Sequence, residues 1–188
     1  MSKLKTVLAI DTTHSYYSVA IIKSGIILSE ISKCKEEKPS ENIIELVDNS
    51  LQKANIVLQD LDRIAVNVGP GNFTGIRVGL SAAKGIAFAL NIKCFGINRF
   101  QTLTINESPT LGTIKIKDNL FYTQMYVQEK PISDPTESSL AKILHTKYNK
   151  DIIISGDDAL MIAEKLELKC GKNSSISKAS EIGLISLK

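Results

Sequence analysis

Asp11-Thr12-Thr13 closes the first apolar run of the chain, LAIDTT, and sets an acid beside two hydroxyls. At the end of a strand such a trio either holds a metal-bound phosphate or closes on itself as an Asx-type turn. A second candidate is NVGPGNFTGIRVGLSAAKGIAFAL, residues 67–90, which carries five of the eleven glycines. There Gly69-Pro70-Gly71 turns the chain after a strand, and Thr74 is placed to cap the helix that follows. Backbone N–H groups at such a start can bind a phosphate. The spacing argues against the two standard signatures. GxxxxGK[ST] is absent, and Gly69, Gly71 and Gly75 give GxGxxxG, one residue too long for the dinucleotide fingerprint.

Other chemistry has little material. His14 and His145 are the two histidines, too few for a histidine-rich metal site or a histidine-based triad. Cys34, Cys94 and Cys170 are widely separated and form no CxxC, which predicts reduced thiols. The net charge is +3, carried by 20 lysines against three arginines. Bidentate phosphate contacts favour arginine, so the lysines read as solvated surface and contact with RNA as weak or indirect. With 43% apolar residues, 5% aromatics and no tryptophan, the 188 residues predict an aliphatic core without disorder. No apolar run approaches the ~20 residues of a membrane span, and the start lacks the pattern of a signal peptide. A cytoplasmic protein is expected.

The positioning elements follow from periodicity. Strands are expected at 4–10, 16–23, 26–31, 63–69 and 92–97, with a tight hairpin at Ser24-Gly25. A helix over 41–54 is capped by Ser40, carries Glu41 in its first turn and buries Ile43, Ile44, Leu46, Val47, Leu51 and Ala54. The glycine-rich stretch feeds a helix over 74–90. This order gives an antiparallel meander followed by helical crossovers, and so an α/β fold with a mixed sheet. NESPTLG, 106–112, predicts a link to a smaller second lobe. That lobe has strands at 113–117, 120–128 and 151–156, helices at 137–145 and 157–168, and a last short helix after the polar stretch 171–178.

The helix at 74–90 is apolar around most of its circumference. Gly75, Gly79, Ala83 and Ala87 recur every fourth residue as one ridge without bulk, and Ser81, Gly85 and Ala89 form another. Glycine costs ~1 kcal/mol relative to alanine inside a helix, so close packing must compensate. One side can take the sheet; the other takes either the helix at 41–54 or another subunit.

Taken together, LAIDTTHSYYSVAI, PSENIIELV and VNVGPGNFTGIRVGLSAAKGIAFALNIKCFGINRFQTL resemble the TsaB (YeaZ) family over residues 4–103, most specifically in GPGxFTGxRxGLxxAKGxA at 69–87. The resemblance implies an actin-like (ASKHA, ribonuclease H-like) fold of two lobes, drawn here as 1–105 and a shortened 106–188. It implies a non-catalytic scaffold that pairs with the larger paralogue TsaD, the transferase that forms threonylcarbamoyladenosine beside the tRNA anticodon, with the ATPase TsaE in the same complex. Arg99 and Leu103 stand where the paralogue carries its metal-binding histidines, so no metal and no catalytic residue is expected. The family dimerises through its two N-terminal-lobe helices, which selects Ile43, Ile44, Val47, Leu51, Gly75, Gly79, Leu80, Ala83 and Ala87 as partner contacts. Self-association in isolation stays open. No cofactor is expected; nucleotide contact at Asp11, Thr12, Thr13, Gly69 and Gly71 is secondary, with ATP or ADP at a subunit boundary the other arrangement. An ATP-dependent transferase or kinase of the same fold is the alternative function. Three departures stand out: Pro39 where many relatives have histidine, no recognisable DAR-type segment in 114–126, and a short second lobe.

Overall fold

The computed structural model describes residues 5–14, 16–34, 39–104, 108–173 and 178–188. The first half contains β1 (Thr6–Asp11), β2 (Tyr16–Lys23), β3 (Ile26–Cys34), α1 (Pro39–Ala54), β4 (Arg63–Asn67), α2 (Phe73–Leu90), β5 (Lys93–Ile97) and α3 (Arg99–Leu103). There follow β6 (Thr110–Lys117), β7 (Leu120–Val127), β8 (Lys130–Pro131), β9 (Thr136–Ser139), α4 (Leu140–His145), β10 (Ile153–Gly156), α5 (Ala159–Leu166), β11 (Lys169–Asn173) and α6 (Ala179–Ile185). Two units emerge, one of residues 1–99 with 176–188 and one of residues 100–175.

In the first unit every residue of β1 is buried, as a central strand covered on both faces requires. It pairs antiparallel with β2 and parallel with β4, in the order β3-β2-β1-β4-β5. Ser24 and Gly25 both take positive φ, 54° and 82°, which suits the twist of a two-residue hairpin between β2 and β3. Alternation then divides the core. Leu8, Ile10, Val19, Ile21, Ile64 and Val66 meet α1 and α2, while Val7, Ala9, Ala20, Ile22 and Ala65 meet α6.

That second contact corrects the expected division at residue 105. α6 belongs to the first unit. Ser180 donates from N and Oγ to the two carboxylate oxygens of Glu30, each at 3.0 Å, and the Ala179 N–H donates to Ser18 Oγ at 3.1 Å. A Cβ on Gly183 would meet Ile22 and Ala9, so only glycine lets the helix sit this low on the sheet. The side chains of Ser40 and Glu41, expected to open α1, lie outside the described residues, as does the side chain of Pro39.

The second unit is a mixed sheet in the order β11-β10-β6-β7-β8, with β9 also on β7. α4 and α5 bring Ile143, Ala159 and Ile162 to Leu111, Phe121 and Ile154; Phe100 and Leu103 lie with Ile114 and Tyr126 on the other face. The helix expected from residue 137 begins instead at Leu140. Thr136–Ser139 pairs with β7, and Ser139 Oγ caps α4 by accepting from the Lys142 N–H at 3.1 Å. Hydroxyl side chains favour the strand and the cap over a helix interior. β11 takes in the first residues of the polar stretch 171–178, where no strand was expected.

Tyr126 gives this unit an alkaline signature. Its hydroxyl donates to Gln124 Oε1 at 2.8 Å, and burial raises its pKa from the ordinary 10.0 to about 12. The folded state therefore keeps a proton that the unfolded chain releases. Its stabilisation is intact below pH 10.0 and is lost as pH rises through about 12. Tyr126→Phe should flatten the alkaline limb of melting curves followed by circular dichroism, at a cost of about 1 kcal/mol at neutral pH for the lost hydrogen bond. Burial shifts Tyr17 and Tyr148 in the same direction, so a residual slope should remain.

Candidate functional site

β1 and β4 lie side by side in parallel register, Ile10 beside Val66, and so deliver the loop after Asp11 and the turn after Asn67 to one edge. Asp11 is buried there. Its Oδ1 accepts from the Thr13 N–H at 2.9 Å and from Thr13 Oγ1 at 2.7 Å, and its Oδ2 accepts from Asn67 Nδ2 at 3.0 Å. Asn67 Nδ2 also donates to Thr13 Oγ1 at 3.1 Å, and its Oδ1 accepts from the Gly69 N–H at 2.9 Å. The Asx-type turn and the glycine turn are thus one network, joined by Asn67.

The start of α2 closes over this network. The Asn72 N–H donates to Thr13 O at 2.9 Å, Asn72 Oδ1 accepts from the Gly75 N–H at 2.8 Å, and Thr12 Oγ1 donates to Gly75 O at 2.6 Å. Asn72, rather than Thr74, is the N-cap. A Cβ on Gly75 would collide with the Thr12 carbonyl oxygen, one on Gly79 with Thr12 Oγ1, and one on Gly71 would lie 2.8 Å from Thr13 Cβ. These glycines bring the helix onto the chain's own β1 loop. Asp11, Thr12, Thr13, Gly69 and Gly71 do converge, and their polar groups make hydrogen bonds within the chain. Gly69 O accepts from the Arg99 N–H at 2.8 Å.

The partner contacts read from the sequence must be re-phased. Gly75, Gly79, Ala83 and Ala87 are the buried residues of α2; Gly75 and Gly79 lie against Thr12 and, for Gly79, Val66, and Ala83 and Ala87 lie in the core shared with the sheet and α1. Ile43, Val47 and Leu51 are buried in the core beneath α1. Leu80 is half-buried and packs on the same core. None of these seven small or core residues, nor the inward side of Leu80, is available to a partner; Ile44, 50% exposed, is. The outer face of α2 instead carries Thr74, Arg77, Ser81, Lys84, Gly85, Phe88 and Ala89, with Phe73 at its start. Phe88 is 88% exposed and Phe73 is 65% exposed, with the Arg77 guanidinium 3.9 Å over the Phe73 ring centroid. Nothing lies within 4 Å of where a Cβ on Gly85 would sit.

By length and composition α2 also qualifies as a membrane-crossing helix, contrary to the sequence expectation. Its glycine ridge lies on β1 and β4, the behaviour of a helix that covers a sheet. Among the described residues no three His, Cys, Asp or Glu side chains gather as a metal site. Asn67 and Asn72 were missed by sequence reasoning. Asn72 had a usable signal, an amide three residues before Gly75 at the start of a periodic apolar run.

A family model described as TsaD, tRNA N6-adenosine threonylcarbamoyltransferase, matches residues 30–115. The tRNA threonylcarbamoyladenosine biosynthesis protein TsaB of Buchnera aphidicola subsp. Schizaphis graminum is 38% identical over 177 residues, covering 87% of this chain and 83% of that protein. A Pseudomonas aeruginosa crystal structure, described as an uncharacterized protein with similarity to peptidase YEAZ, superposes with a TM-score of 0.78 at 20% identity, over 97% of this chain and 89% of that one. Component A of the Acidaminococcus fermentans (R)-2-hydroxyglutaryl-CoA dehydratase gives a TM-score of 0.60 at 10% identity, over 96% and 97% of the two chains. The fold is actin-like, and the identity over nearly the full length goes further: the chain belongs to the TsaB family.

Proposed function

We propose that this chain is a non-catalytic scaffold subunit, which pairs with a TsaD-type threonylcarbamoyltransferase in forming threonylcarbamoyladenosine beside the tRNA anticodon. The observation that carries the reading is α2. It is an 18-residue apolar helix that buries four residues, all Gly or Ala, and turns Phe73, Phe88 and a second small row outward. An exposed apolar face on a single chain marks an interaction site, and small residues allow another helix to approach closely. Ile44 of α1 is exposed as well.

In this reading the transferase supplies the catalytic residues and most of the tRNA contact. TsaE joins the same cytoplasmic assembly, and the subunit carries no cofactor of its own; a subunit boundary is the place for any ATP or ADP, with the Asp11 carboxylate bonded within the chain. An ATP-dependent transferase or kinase is the competing reading, drawn from the convergence of Asp11 with the Gly69–Gly71 turn.

Gly85→Leu tests the docking face, because its side chain has room in the isolated subunit. Sedimentation of the native chain with its cell's TsaD paralogue should give a heteromeric species. Gly85→Leu should weaken that species more than about 10-fold with a melting temperature no lower than that of the native chain, as expected when a close helix contact is blocked. A native chain that ignores the paralogue would sink the scaffold reading.

A further inference from the structure

In the second unit α4 and α5 stop at one end of the sheet, with Thr146 and Glu167 as their C-caps. Beside the two helix ends opens a cavity of about 300 Å³, lined by Thr146, Lys147, Tyr148, Lys150, Leu166 and Leu168. That volume is at the lower end of the range for small-molecule sites. Tyr148, Leu166 and Leu168 are half-buried and pack on the core of the unit, which makes a fixed apolar floor. Lys147 and Lys150 are exposed at the rim, on either side of Tyr148 in the chain, and among the described residues no carboxylate lines the cavity. Lys147 forms no ion pair among the described residues, and Lys150 meets Glu167 at 3.4 Å with both side chains largely in water. Such an exposed pair contributes little and is readily exchanged for another anion. Helix C-termini attract lysines on their own account. Here carbonyls of both last turns already have donors: Lys142 O accepts from the Thr146 N–H at 3.1 Å and from Thr146 Oγ1 at 2.8 Å, and Ala163 O from the Leu168 N–H at 2.9 Å. Much of the charge of the two lysines is left for a ligand.

We infer that this cavity takes a nucleotide, its base against Tyr148, Leu166 and Leu168 and its phosphate between Lys147 and Lys150. Aromatic side chains stack with any base, because every base has a flat apolar face, and lysine serves phosphate as a compact point charge. With two cations and no glycine turn among its lining residues, the site fits a single phosphate or the links of a strand rather than the triphosphate of ATP. The source is either a free mononucleotide or one unpaired nucleotide of an RNA strand, since the recognition chemistry is the same. The cavity lies where the parallel strands β10 and β11 begin, at Ile153 and Lys169, and so at the opposite end of β10 from Gly156. Nothing of the Asp11 network takes part, and pairing with the transferase is not required.

The test follows the amide NMR spectrum of the isotope-labelled full chain during titration with adenosine 5′-monophosphate, adenosine, ribose 5-phosphate and the trinucleotide ApApA. The monophosphate should shift amides of residues 146–150 and 166–168, and should bind about 10-fold more tightly than adenosine or ribose 5-phosphate, each of which keeps one half of the recognition. Lys147→Gln with Lys150→Gln should weaken the monophosphate about 10-fold at low salt and less at high salt, and leave adenosine unchanged. Tyr148→Leu, which keeps an apolar floor without the ring, should weaken the monophosphate and adenosine alike. Glu167→Gln removes a competing anion at an exposed position and should tighten the monophosphate about threefold, a gain that no loss of folding can imitate. ApApA binding more tightly than the monophosphate at the same amides assigns the site to an RNA strand; equal or weaker binding assigns it to a free nucleotide. Shifts confined to residues 11–13 and 69–75, or no shift at 146–150 and 166–168 with any of the probes, would overturn the inference. So would monophosphate binding that neither the lysine pair nor Glu167→Gln alters.

Discussion

Gly75→Ala will cost about 3 kcal/mol and lower the thermal midpoint by roughly 6–12 °C, while Gly85→Ala in the same helix will raise it. The local propensity of the two changes is the same, since alanine is the better helix former by about 1 kcal/mol at either position. Their surroundings differ. At Gly75 the added methyl meets the Thr12 carbonyl oxygen, a backbone atom fixed by the β1 sheet, and no flexible side chain can yield. The helix must lift, which also stretches the 2.6 Å bond from Thr12 Oγ1 to Gly75 O. At Gly85 the methyl enters open space. Thermal melts of the two variants beside the native chain decide the matter. Equal shifts would mean that the glycine ridge does not set the distance between α2 and the sheet.

Asp11→Ala will destabilise by about 3 kcal/mol or more, because it removes the acceptor for three buried donations at once. The Thr13 N–H and Asn67 Nδ2 would then be buried without that partner. Asp11→Asn keeps one acceptor oxygen and should cost less. Urea titrations of both variants give the ordering native, Asn, Ala. The same protein preparations separate the two functional readings. If Asp11 is a structural knot, its loss moves the urea midpoint and leaves no ATP turnover to abolish. ATP hydrolysis by the native chain that Asp11→Asn eliminates without a stability change would favour the kinase alternative.

Much of the first unit could be read from the sequence because its signals are local. β1, β2 and β4 are apolar runs bounded by turn residues, Ser24-Gly25 marks its hairpin, and the small-residue period marks α2. The phase of α2 was not legible. Two rows without bulk, Gly75-Gly79-Ala83-Ala87 and Ser81-Gly85-Ala89, satisfy the same periodicity. What distinguishes them is contact with Thr12, 63 residues before Gly75. The second unit was harder because Thr136–Ser139 and Lys169–Asn173 pair as strands without an apolar alternation. The candidate network was half visible. Asp11, Thr13 and the glycine turn declare themselves by type, whereas Asn67 acquires its role only when β4 is placed beside β1.

The place of α6 sets an order of events during synthesis. Residues 6–97 supply all five strands of the first sheet and the two helices on one of its faces. The other face, with Val7, Ala9, Ala20, Ile22 and Ala65, waits for a helix that is translated only after the whole of the second unit. At elongation rates of about 5–20 residues per second, those apolar side chains stay uncovered for several seconds on the ribosome. The second unit can finish folding first. The lobe made first is therefore the lobe completed last, and the nascent chain is most exposed to aggregation along the sheet face that α6 later seals.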